Sequence, residues 1–174
     1  MKLSKRSVLK LLAVLLLSGV TASALAWGSS LTKAQKAHAK DMKALHEVDS
    51  DWVKDYNKGK VDKLVALYEA DATLMPPGTA PLQGAKAIRA YFVADVAASK
   101  KAGVKFTLTG TPDGDVTGDW GWVSGTYSVT AKDGHILDSG KYLSVSHRVK
   151  GKWHYVRDTW NSDGGIPQIG AASN

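Results

Sequence analysis

The 174-residue chain contains no cysteine. That absence excludes a disulfide framework, a thiolate metal site, a cysteine nucleophile and a lipid-bearing cysteine. Several catalytic signatures are missing too. No serine sits in a nucleophile elbow, no glycine-rich phosphate loop opens a helix, and no HExxH occurs. Asp113, Asp115 and Asp119 alternate like a calcium loop, but no glutamate closes the set, and Pro112-Asp113-Gly114 is turn chemistry. There is no internal repeat and no low-complexity tract. Hydrophobic residues at 44% and charged residues at 22% describe an ordinary globular chain of one domain.

The formal charge of +7 suggests nucleic acid until its location is considered. Residues 1–26 hold Lys2, Lys5, Arg6 and Lys10, then the apolar run Leu11 to Leu17, then Ala24-Leu25-Ala26 with small residues at −3 and −1. This is the pattern of a cleavable signal peptide, with the mature chain starting at Trp27. The string SKRSVLK is similar to a twin-arginine signal with Lys5 in place of the first arginine, which favours the general secretory route. Four of the 23 basic residues and none of the 16 acidic ones lie in this leader, so the remainder carries +3. No basic run survives there to track phosphates, so nucleic acid is not an expected partner. The expected location is periplasmic or secreted, with no stable membrane insertion after cleavage, because the apolar run is shorter than a bilayer span.

Beyond the leader, residues 31–57 lack glycine and proline, and Leu45, Val48, Trp52 and Tyr56 recur at helical spacing. A short helix follows around Val61, Leu64, Val65 and Tyr68. Residues 71–75 read as a strand ended by Pro76-Pro77-Gly78, and 84–101 as a third helix. From Val104 the period becomes two, with strands expected over 104–110, 119–131, 135–149 and 152–161. Asp133-Gly134 and Lys150-Gly151 supply hairpin turns, and Gly110, Gly114 and Gly118 read as hairpin punctuation. Residues 27–163 form the domain and 164–174 a flexible tail. Three helices followed by an antiparallel meander give an α+β class.

The phrases DATLMPPG, LQGAKAIRAYF, GDWGWVSGTYSVT and RDTWNSD, within residues 45–163, resemble the SnoaL-like branch of the nuclear-transport-factor-2-like superfamily. The resemblance implies a cone-shaped, bent antiparallel sheet wrapped on three N-terminal helices, commonly dimeric, with a pocket between the long helix and the sheet. It implies no single function, since relatives include steroid isomerases, polyketide cyclases, dehydratases and proteins that only bind or assemble. The steroid isomerase residues do not carry over. Trp52 stands where the tyrosine would be, Pro76 where the base would be, and Val145 or His147 where the protonated aspartate would be. Proline abstracts no proton, so that mechanism is not expected.

Strand parity offers a route to the pocket that is independent of the family. A two-residue turn at Lys150-Gly151 pairs His147 with His154 and Leu143 with Asp158, and the Asp133-Gly134 turn pairs Trp120 with His147 and Trp122 with Val145. One face then carries Trp120, Trp122, Leu143, Val145, His147, His154, Val156, Asp158 and Trp160. The other carries Val123, Tyr127, Tyr142, Ser144, Arg148, Tyr155 and Arg157. A one-residue bulge would exchange the sets. Family parity at the last strand selects the tryptophan face as the pocket, and the tyrosine face as a dimer surface.

Asp158 and His147 are the candidate catalytic pair. Trp52, Tyr56, Met75, Tyr91, Trp122, Val145 and Trp160 are the candidate ligand-binding residues. A carboxylate on an apolar face must be hydrogen-bonded, paired or shifted in pKa, with Arg157, Trp52 and Tyr56 as candidate structural partners for Asp158. His147 and His154 lack an obvious third ligand, so no metal or cofactor is expected. Three functions remain open. They are an exported protein binding a small, partly apolar molecule, a cofactor-free isomerase, cyclase or hydratase using Asp158 and His147 for proton transfer, and a dimeric structural module plugged by its own tryptophans.

Overall fold

The structure, a computed structural model, describes residues 31–164. The expected leader at residues 1–26 with its cleavage site, and all but the first residue of the expected tail, lie outside the described residues. A capping box starts the first helix: the Gln35 amide donates to Thr32 Oγ1 and the Thr32 amide to Gln35 Oε1. The compact body begins at Lys36.

The elements are α1 (Lys33–Lys58), α2 (Val61–Val65), β1 (Tyr68–Met75), β2 (Leu82–Gln83), α3 (Gly84–Ala102), β3 (Lys105–Thr117), β4 (Trp120–Thr130), β5 (Ile136–Val149) and β6 (Lys152–Ser162). The fold is α+β, as expected. Its six-stranded sheet has the order β2-β1-β6-β5-β4-β3. It is mixed rather than wholly antiparallel, because β1 runs parallel to β6. Gly59, with φ 68°, ends α1, its amide donating to the Tyr56 carbonyl.

Three local expectations change. The second helix stops at Val65, and Tyr68 opens β1 instead of closing a helical stripe. The two-residue strand β2 was not foreseen. Strand β3 continues to Thr117 through Gly110, Pro112 and Gly114, so only Gly118 of the three glycines turns the hairpin. Proline is tolerated because β3 is an edge strand and its register shifts between Thr109 and Asp113.

The core forms where α1 and α3 face one side of the sheet. Leu45, Val48 and Trp52 from α1 meet Ile88, Phe92 and Val96 from α3, with Ala72, Leu74, Val123, Trp153 and Tyr155 beneath them. Two glycines in β4 permit this approach. A Cβ on Gly121 would stand 2.7 Å from a Leu45 methyl, and one on Gly125 would stand 2.7 Å from the Tyr142 ring. The missing side chains let the helix and a large ring lie on the strand.

A candidate aromatic chamber with two buried carboxylates

The inner face of the sheet differs from the parity expectation for one reason. Strands β4 and β5 pair in the expected register, Trp120 opposite His147 and Trp122 opposite Val145. Between β5 and β6 the expected pairs hold from Lys152 to Tyr155, and then the ladder slips. Ser146 pairs with Tyr155 but Val145 with Arg157, which leaves Val156 as an extra residue. This bulge reverses the parity of the rest of β6. Asp158 and Trp160 therefore join Val123, Tyr127, Tyr142, Ser144 and Tyr155 on the helix-facing side. Trp120, Trp122, Leu143, Val145 and His147 lie on the outer side with Arg157. The tryptophan face is thus not the pocket face, and the three tyrosines assigned to a dimer surface point inward.

Asp158 is buried, and its partner is a phenol rather than a cation. Tyr68 Oη–H donates to Asp158 Oδ2 at 2.6 Å, and Trp52 Nε1–H donates to Tyr68 Oη at 2.8 Å. The expected pairing with Arg157 does not form, because Arg157 Nη1 donates to the Val156 carbonyl instead. A second buried carboxylate lies nearby. Asp49 on α1 accepts from Tyr155 Oη at 2.5 Å and from Tyr142 Oη at 3.1 Å. The Tyr68 and Tyr155 rings that serve the two acids are 5.1 Å apart.

Burial pushes the Asp158 carboxyl up to about 7, and the Asp49 charge pushes the same way. Donation from Tyr68 and from the Thr159 amide opposes that rise without cancelling it. Asp49 is also raised by burial, against the pull of Tyr155, Tyr142 and His46. Burial holds Tyr68 and Tyr155 well above the usual phenol range, so both stay protonated and donating. Asp158 can therefore give up or take a proton near neutral pH while Trp52 and Tyr68 hold its orientation.

Two adjoining spaces share Trp52, Phe106 and Trp160 as walls. The inner one, about 30 Å³, is bounded by Asp49, Tyr142, Tyr155 and Asp158 and has room for a water or a small group. The outer one, about 210 Å³, adds Tyr56, Tyr91, Tyr127, Asp95 and Asp138. Its walls are stacked rings, Trp52 on Tyr56 at 4.9 Å and Phe106 on Tyr127 at 4.8 Å. Tyr91 meets Trp160 edge-on at 6.2 Å.

Of the residues expected at the site, Asp158, Trp52, Tyr56, Tyr91 and Trp160 come together here. Met75 does not, because Ala72 and Leu74 take the inward positions of β1. His147 is on the outer face, where Nδ1 contacts Glu69 Oε1 at 2.8 Å and the ring stacks on Trp120 at 4.5 Å. Trp122 and Val145 meet Trp120 and Leu143 in a shallow outer groove of about 430 Å³. Its one carboxylate, Asp115, contacts His38 Nε2 at 2.7 Å. Sequence reasoning missed Asp49 and Tyr68. Asp49 falls four residues after Leu45 and three before Trp52, so it belongs to the apolar stripe of α1, and that spacing was the available signal.

The SnoaL-like domain family matches residues 50–156. Among solved structures, a nuclear-transport-factor-2-like protein with a cystatin-like fold from Novosphingobium aromaticivorans is 19% identical, with a TM-score of 0.67 over 74% of this chain and 86% of its own. A nuclear-transport-factor-2-like protein of unknown function from Pseudomonas putida is 14% identical, with a TM-score of 0.65 over 79% and 93%. A ketosteroid isomerase-like protein from Erwinia carotovora atroseptica is 14% identical, with a TM-score of 0.57 over 72% and 98%. Identities this low establish a shared fold and say nothing of activity. No curated protein sequence matches the chain. With the fold and the matched segment in agreement, the chain belongs to the SnoaL-like domain family, within the nuclear-transport-factor-2-like fold.

Proposed function

We propose that this protein binds a small, largely apolar molecule in the aromatic chamber between α1, α3 and the inner face of the sheet. Asp158 then stands at the inner end of the bound molecule as a group able to exchange a proton. One observation carries the reading. The outer space of about 210 Å³ is walled by stacked aromatic rings and adjoins a smaller space that ends on a buried acid. Pockets that take small molecules combine aromatic and apolar walls with convergent polar groups, and here Asp95, Ser99 and Asp138 stand among the rings of the outer space. An open outer space also argues against a chamber plugged by its own tryptophans. The reading includes export of the mature chain through the leader at residues 1–26.

Native mass spectrometry of the protein, purified from the periplasm of its own cells, tests the proposal. A retained small molecule, lost on unfolding, is the expected result. Spectra holding only the bare chain, under conditions that preserve non-covalent complexes, count against it.

A second reading, a cofactor-free isomerase, cyclase or hydratase, draws support from Asp158 itself. An acid raised to about 7 and fixed by Tyr68 suits general acid–base work at neutral pH. Its second titrating group would be Asp49 across the inner space, because His147 faces away from the chamber.

A further inference from the structure

We infer that the molecule taken by the chamber is a cation, a small amine or quaternary ammonium with an apolar body. The inference deepens the binding reading above and rests on it. Every charged side chain lining the two spaces is a carboxylate: Asp49 and Asp158 within, Asp95 and Asp138 in the outer space. No lysine, arginine or histidine lines either one. Nor does any described basic side chain come within ion-pair distance of these four acids, whereas Asp41, Asp62, Asp115, Asp119, Asp133 and Asp163 each have such a partner.

The remaining contacts of the outer acids are compatible with a cation. Asp95 Oδ2 accepts from Tyr56 Oη at 2.6 Å, and Asp138 accepts from Ser162 Oγ at 2.5 Å through Oδ1 and from Tyr127 Oη at 3.4 Å through Oδ2. Hydroxyl donors orient a carboxylate and leave its charge uncancelled. The rings of Tyr56, Tyr91, Phe106, Tyr127 and Trp160 line the same space as Asp95 and Asp138. Ring faces attract a desolvated cation, and the same surfaces pack its apolar body. An anion of equal size would meet the carboxylates of Asp95 and Asp138 in the outer space and no lysine, arginine or histidine to offset them.

Three probes of nearly one shape separate the possibilities: benzylammonium, benzyl alcohol and benzoate. Each is titrated at pH 7 against the mature protein while the indole N–H resonances of Trp52 and Trp160 are followed. The expected order is benzylammonium tighter than benzyl alcohol by about tenfold, with benzoate weakest. In a variant combining Asp95→Asn and Asp138→Asn, that preference should shrink towards unity. Equal or tighter binding of benzyl alcohol or benzoate overturns the cation inference and leaves the binding site standing. No perturbation of either indole by any probe, up to tens of millimolar, overturns both. A preference that survives unchanged in the double variant also overturns the inference, since the outer carboxylates would then not be its source.

Discussion

Replacing Asp158 with Asn should remove a loss of stability that the wild-type protein suffers as pH rises through neutrality. The folded protein holds the Asp158 proton up to about 7, against 3.8 for an ordinary aspartate. Between these values the folded state carries more protons than the unfolded one, so stability falls with rising pH across that window. The contribution is fully present below about pH 4 and gone above about pH 7. Roughly 2–3 kcal/mol of it should disappear between pH 5 and 8. Asparagine is neutral throughout, so this part of the slope vanishes. The amide brings a cost of its own, because its NH₂ group enters a site built for an acceptor, at about 1–3 kcal/mol independent of pH. Relative to wild type, the variant should therefore gain roughly 2–3 kcal/mol between pH 5 and pH 8, whatever the pH-independent cost of the amide. Urea unfolding at the two pH values provides the check. Parallel slopes for the two proteins would mean that Asp158 ionises normally.

Trp52→Ala should have the other large effect. The indole is almost fully buried, stacks on Tyr56, and meets Phe92 and Phe106 edge-on at 6.0 and 5.2 Å. It is also a wall of both spaces and donates to Tyr68. Truncation of a buried tryptophan costs about 3–5 kcal/mol, because the rings around it close the void only in part. For a domain of this size the melting temperature should fall by roughly 10–15 °C. Trp52→Phe retains most of the volume and loses the N–H donor, so its cost should be much smaller. A drop of only 2–3 °C for the alanine variant would mean that the indole is a loose rim residue.

The sequence is most legible where one period runs unbroken. The stripe of Leu45, Val48, Trp52 and Tyr56 places α1 against the core, and from Trp120 to Val129 the β4–β5 register is the one a turn at Asp133-Gly134 implies, with a one-residue shift only beside the turn, between Val129 and Thr130. It is least legible at Val156, a β-branched residue in a run of alternating residues with nothing to mark it as surplus. That slip decides which side Asp158 and Trp160 face. Family parity placed these two residues in the pocket, whereas the turn rule grouped them with Trp122, Val145 and His147, which lie outside. Tyr68 was hidden for another reason. Its helical spacing from Leu64 and Val65 was satisfied on paper, while the Tyr155 amide captures the Leu67 carbonyl and turns the chain into a strand. Asp49 lies on the buried stripe of α1 because two phenols stand ready to donate to it, partners far away in the sequence.

The central claim is that the chamber ends on an acid that holds its proton near neutral pH. Carbon-13 NMR of protein labelled at the aspartate carboxyls, titrated from pH 3 to 9 in wild type and Asp158→Asn, tests it most directly. The account predicts a carboxyl resonance with its midpoint near pH 7, absent from the variant. A wild-type titration in which every aspartate is ionised by about pH 5, near the ordinary carboxylate range, would contradict it.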